Sequence, residues 1–274
     1  MLYLEKKPII RSKLRLYIGK KLYSLKRHGQ WYLPGRSYAK EINNNTYDFS
    51  VFSHRTPLLR KLKDVDMYLQ YNKITNLKLA IKMLNNIVLK PGETLSYWKL
   101  IGKPTYKKGY LEGLVLCPDG SFKSGIGGGL CQLSNLIYWM TLHTPLIVTE
   151  RHRHSHDVFP DEDRKQPFGT GATCAYNSLD LQIYNGTDSE YQLVLYLSED
   201  HLNGEWRSNK DAIYSYLIYE KEHYITAGCF GGYVRNNSIY RKVFQEGFGE
   251  LKEEFITENH AYMLYSPILA AGIE

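Results

Sequence analysis

No apolar run in the 274-residue chain reaches the roughly 18–20 residues that a helix needs to cross a bilayer, so no membrane span is expected. The N-terminal segment also lacks an apolar core of about 7–15 residues leading into a small-residue cleavage site. No secretory signal is therefore expected. A cytoplasmic or peripheral-membrane location follows, with an extracytoplasmic one reserved for export by an unrecognised route. Cysteine is scarce: Cys117, Cys131, Cys174 and Cys229 stand far apart without a Cys-x-x-Cys pair, which argues for free thiols and against a disulfide framework or a structural zinc site. There is no internal repeat and no low-complexity linker. Acidic residues are missing altogether between Lys6 and Arg27.

What is present describes a folded protein. With 43% hydrophobic and 23% charged residues, a chain of this length can bury a real core. Its 24 tyrosines suit half-buried strands and polar clefts, although a compositional habit of the source explains them equally well. The net charge of +7 favours an anionic neighbourhood such as anionic lipid, a wall polymer or nucleic acid. No base-reading motif accompanies the charge, so nucleic acid is not an expected partner. The excess is concentrated at the N-terminus, where Lys6, Lys7, Arg11, Lys13, Arg15, Lys20, Lys21, Lys26 and Arg27 alternate with Ile9, Ile10, Leu14, Tyr17, Ile18, Leu22 and Leu25 at helical spacing. Such a helix either rests on an anionic membrane or packs its apolar stripe on the domain.

Further along, His28 to Asn45 reads as loop, and Asn76 to Asn86 has helical periodicity. Lys90-Pro91-Gly92 turns into a strand at Thr94 to Trp98. A hairpin is expected around Pro118-Asp119-Gly120, and a helix from about Leu130 to His143, stopped by Pro145. Alternation at Leu179–Tyr184 and Gln192–Leu197, around Asn185-Gly186-Thr187-Asp188, predicts a second hairpin. Tyr214–Tyr219 and Tyr233–Val243 read as further strands. The expectation is an α+β fold in which a central cysteine-bearing helix packs on a mostly antiparallel sheet. Its parts are a basic helical region at 1–71, a core at 72–200 and a β-rich extension at 201–274.

The chemistry concentrates in Gly125-Ile126-Gly127-Gly128-Gly129-Leu130-Cys131-Gln132-Leu133-Ser134-Asn135. Consecutive glycines permit positive φ and close approach of a ligand, and their N–H groups are candidates to hold an oxyanion. A thiol in the first turn of the following helix meets the positive end of the helix dipole, which favours the thiolate. Gln132 and the amide of Cys131 are further oxyanion candidates. Walker-type phosphate binding is excluded, because Leu130 and Cys131 stand where Lys and Ser or Thr are required. The same residues also fit a tight strand-to-helix turn with Cys131 as a small core side chain. A base for the thiol is sought in Glu150-Arg151-His152-Arg153-His154-Ser155-His156-Asp157, where the three histidines share one face of an extended chain. Three alternating histidines also raise a metal site, but neighbours on one strand seldom converge. Neither a metal nor any other cofactor is expected.

The blocks Lys90–Trp98, Gly127–Leu136, His143–Leu146 and Leu179–Leu181 with Asn185–Asp188 resemble the VanW family, in the family's order, over about Asn72 to Leu197. The resemblance implies cell-wall biology and, as in some proteins carrying this domain, a cysteine-dependent L,D-transpeptidase that crosslinks peptidoglycan. A non-catalytic accessory that binds a wall precursor is the alternative. The implied partner is a peptidoglycan stem peptide or precursor. The implied nucleophile is Cys131, with His154 as the preferred base and Asp180 either orienting it or ending a turn. Gly127, Gly128, Gly129, Gln132, Ser134 and Arg151 are expected to bind substrate or oxyanion. One departure stands out: Gly171 precedes Ala172-Thr173 where family members often carry Asp.

Overall fold

The computed structural model describes residues 12–59, 66–117, 120–154, 156–158, 166–229 and 231–267. Among the described residues four α-helices are packed among mostly antiparallel sheets, an α+β fold as expected. Helix α1 spans Lys13–Tyr32, with Ser12 accepting from the Arg15 amide as its cap and Pro34 just beyond its end. Helices α2 (Met67–Leu84), α3 (Tyr97–Ile101) and α4 (Cys131–Leu142) follow. No helix among the described residues is long and apolar enough to cross a membrane.

A five-stranded sheet runs in the order Glu41–Ile42, Ile87–Leu89, Tyr191–Leu197, His201–Ser208, Phe49–Pro57. It draws strands from each of the three expected segments. Burial alternates strictly along His201–Ser208, the signature of a strand with one wet face. Helix α4 packs on the dry face, where Gly204 leaves room for Met140 and Leu136; a Cβ there would lie 2.7 Å from the Met140 methyl. Trp206 donates from Nε1 to Thr141 Oγ1 at 3.1 Å, so the largest buried ring keeps its polar atom satisfied. Leu133, Leu136, Ile137 and Met140 are fully buried along α4, each contributing about 1.5–3 kcal/mol of burial.

A four-stranded sheet has the order Ser37–Tyr38, Glu93–Ser96, Gln182–Tyr184, Ile147–Glu150. Beyond the core, Tyr214–Ala227, Tyr233–Gln245 and Gly249–Met263 form a long antiparallel meander, joined at its edge by His156–Asp157. A hairpin of Glu112–Leu116 and Phe122–Ile126 leads into the glycine segment, as expected; its tip at 118–119 lies outside the described residues.

Three local expectations are corrected. The segment 28–45 is not all loop, because α1 continues to Tyr32 and two short strands follow. The strand after Gly92 ends at Ser96, which caps α3 by accepting from the Lys99 amide at 3.2 Å. The pattern at Leu179–Tyr184 and Gln192–Leu197 does not make a hairpin: the two strands enter different sheets. Asn185 explains the parting. Its Nδ2 donates to Leu89 O and Ser189 O, while its backbone exchanges hydrogen bonds with Gly92 and Glu93. Chain passing from Leu89 to Glu93 and chain passing from Tyr184 to Tyr191 thus cross between the sheets side by side, and long-range pairing replaces the local turn.

Candidate functional site

The approach to Cys131 is set by glycines. Gly128 lies against Gly113 so closely that a Cβ on it would come within 2.1 Å of the Gly113 carbonyl carbon, and Gly127 and Gly129 adopt φ of +74° and +90°. Asn76 of α2, fully buried, holds this turn: Oδ1 accepts from Leu111 N, and Nδ2 donates to Leu111 O and Gly128 O. The only trace of Asn76 in the sequence is a polar residue on the apolar stripe of a helix, which spacing alone does not single out.

The glycine amides are not available to a ligand. Gly127, Gly128 and Gly129 donate to Leu111 O, Gly125 O and Leu114 O. One step later, among the described residues, the amides of Leu130 and Cys131 reach no backbone carbonyl, and the Cys131 amide turns to its own sulfur. These are the first-turn donors that every helix leaves unmatched. Gln132 is engaged elsewhere, its Nε2 donating to Thr56 Oγ1 and Pro57 O of the neighbouring strand.

A strap of residues 169–174 runs antiparallel along α4 and covers the thiol. Asn135 Oδ1 accepts from Ala172 N at 2.7 Å and Ser134 Oγ donates to Ala172 O at 2.7 Å. Arg151 donates to Gly169 O and Gly171 O, lies 4.9 Å over the Tyr138 ring and reaches Thr257 Oγ1. Thr173 N donates to His152 O, and the Cys131 thiol donates to Cys174 O at 3.6 Å. Burial raises the Cys131 pKa, while backbone hydrogen bonds at Cys174 and at Cys131 itself pull the other way. Gly171, which brings no carboxylate to this strap, faces Asn135: a Cβ there would stand 3.2 Å from Asn135 Oδ1.

The three histidines disperse. His152 Nε2 pairs with Glu150 Oε1 at 3.0 Å, and the His156 ring lies 6.2 Å from that of Tyr262. His154 is half-buried, and burial lowers its pKa, keeping the imidazole neutral near pH 7. Among the described residues no hydrogen bond or ion pair joins it to Cys131. No group of three His, Cys, Asp or Glu among them is placed to hold a metal ion.

Asp180 sits in a separate buried centre. Its Oδ2 accepts from Ser96 Oγ and its Oδ1 from the amides of Trp98 and Leu181, so it secures the start of α3. Arg27 pairs in bidentate fashion with Glu150, at 2.7 and 2.5 Å, and donates to Asn177 O. Burial opposes ionisation of Glu150, but hydrogen bonds from His152, Arg27 and the Asp180 amide hold its pKa at about 2.

The thiol at the start of α4 and the glycine turn before it lie within residues 72–207, which match the family model described as VanW like protein. The chain belongs to the VanW family. It is 35% identical over 184 residues to the Vancomycin B-type resistance protein VanW of Enterococcus faecalis, covering 67% of this chain and 66% of that one. It is 29% identical over 110 residues to the uncharacterized protein YoaR of Bacillus subtilis, covering 40% of this chain and 34% of that one. The match thus spans just under two thirds of the first relative and about a third of the second. No solved structure matches. The VanW model begins near α2 and ends with the strand His201–Ser208, so it takes in Asn76, the glycine turn, α4, the strap and Asp180, and leaves out α1 and the meander.

Proposed function

We propose that this chain acts on the bacterial cell wall, in the setting of vancomycin resistance for which its Enterococcus relative is named, and that it engages a peptidoglycan stem peptide or precursor at the first turn of α4. The observation that carries this reading is the first turn of α4, where the Cys131 thiol stands with two amides, Leu130 and Cys131, that reach no backbone carbonyl among the described residues. A peptide carbonyl bound there meets two N–H donors and a nucleophile together, which is what an acyl transfer requires.

In this reading Cys131 is the acyl acceptor of an L,D-transpeptidase-like exchange. Its sulfur bonds to the donor carbonyl carbon, the bond to the terminal residue breaks, and the thiol proton leaves on the departing amine. An acceptor amine then attacks the thioester, the carbon–sulfur bond breaks, and a proton from that amine restores the thiol. His154, neutral near pH 7, is the imidazole assigned to carry the proton, which Cys174 O must first release, since it holds the S–H at rest. Arg151 and Ser134 hold the strap in this scheme, and Asp180 supports the scaffold.

A second reading has a specific observation of its own. The raised thiol pKa and the covering carbonyl suit a protein that binds a stem peptide without reacting. Incubation with a tetrapeptide muropeptide and an amine acceptor, followed by intact-mass spectrometry, separates the two. Acyl transfer gives a thioester adduct and crosslinked product, both lost in Cys131→Ala with a fall of at least about a thousandfold in rate. Equal turnover by parent and variant rejects the cysteine mechanism; saturable binding without adduct or product establishes the second reading.

A further inference from the structure

Among the described residues, helix α1 is fastened near its C-terminal end. Its buried side chains are Arg27 and Trp31, held through Glu150 and Asn177 and through a hydrogen bond from Trp31 Nε1 to Ser96 Oγ. Before them, Leu14, Tyr17, Ile18, Leu22 and Leu25 are 49–71% exposed. At 100° per residue these five fall on one arc of the helix, with Leu14 and Leu25 at its centre. Arg15 and Lys26 border one edge and Lys13 and Lys20 the other, while Leu16 and Tyr23 lie outside it. Lys21 falls within the arc on a stem long enough to lift its ammonium clear. No Asp or Glu occurs from residue 12 to residue 40.

A contiguous apolar stripe between two rows of cations marks an interaction surface. The charges select its occupant. A second copy on the same stripe would bring ten like charges together, five from each helix, with no acid between them. A nucleic acid would neutralise the cations and leave the stripe in water. We propose that α1 lies in the surface of an anionic phospholipid bilayer, with the stripe among the first methylenes of the acyl chains and the lysines and arginine at the phosphates. The bidentate Arg27–Glu150 pair ties this helix to the sheet of the core, so docking also fixes how the core is turned towards the membrane.

The test is co-sedimentation of the full chain with vesicles of equal parts phosphatidylglycerol and phosphatidylcholine. The chain is expected to sediment with them, and at least about tenfold more weakly with phosphatidylcholine alone or in about 0.5 M salt. Replacing Leu14, Ile18, Leu22 and Leu25 together by serine is expected to weaken binding at least about tenfold, with an unchanged circular dichroism spectrum because these side chains are exposed. Failure to bind the anionic vesicles overturns the proposal, as does equal binding by the serine variant, or a dimer in solution that the serine changes abolish. Cys131→Ala is expected to bind vesicles like the parent, so this proposal and the acyl-transfer reading fail separately.

Discussion

Around Glu150 every buried charge has a partner, whereas at the first turn of α4, among the described residues, two amides reach no backbone carbonyl and the thiol has only a long bond of 3.6 Å to Cys174 O. Glu150 and Asp180 have both oxygens engaged, and all three Arg27 nitrogens donate. The Cys131 end is built with equal care, since Asn76, Ser134, Asn135 and Arg151 all serve to place backbone there, yet the Leu130 and Cys131 amides are left without a carbonyl. A closed network holds elements together; an open one, held open by its neighbours, is fitted for a ligand. The first centre is architecture; the second is where the proposed acyl transfer is placed.

The sharpest break in this contrast is Glu150→Ala. It strands the Arg27 guanidinium in a buried position and is expected to cost about 3–5 kcal/mol in denaturant unfolding. If the centres are separate, a folded Glu150→Ala protein labels at Cys131 with iodoacetamide at the parent's rate; a large change in labelling would merge them. Next is Gly128→Ala, whose Cβ collides with the Gly113 backbone. A loss of about 3 kcal/mol is expected, with altered Cys131 labelling, because the turn carries the helix start.

Acid titration gives the third effect. Burial lowers the His143 pKa to about 4, against an ordinary value of 6.5, in a site where its ring stacks 3.8 Å from that of Phe52. A depressed histidine contributes stability that is complete above about pH 6.5 and lost as pH falls towards 4; about 2 kcal/mol should go in that window and be absent in His143→Gln. The depressed Glu150 acts lower: its contribution is complete above about pH 4.5 and lost as pH falls towards 2. The smallest effect is Asn135→Ala, which frees the Ala172 amide at about 1 kcal/mol and loosens the strap. Cys131 labelling should rise severalfold; an unchanged rate would mean that the strap does not guard the sulfur.

Much of the fold was legible because its signals are local. The α4 helix announces itself by an apolar face ending at Pro145, and the hairpin before it by its turn residues. The Leu179–Leu197 region misled because its alternation is real but its partners are distant: Asn185 binds Leu89 and Ser189, and a side chain that joins sites so far apart in sequence leaves no periodic mark. At the site, Cys131 was readable from its glycines and helix. Which amides stayed open was not, since Leu111, Gly125 and Leu114 supply the carbonyls that take the glycine donors.

Local residue order was enough to specify a cysteine at the start of a helix, a basic amphipathic segment and a family pattern, because each depends on residues a few positions apart. Tertiary structure alone decided that Asp180 secures α3, that Arg151 and Ser134 hold a strap over the sulfur, and that the apolar stripe of α1 faces outward. Those outcomes depend on which distant backbone atoms become neighbours, and hydrogen-bond partners and burial exist only once the chain has brought them together.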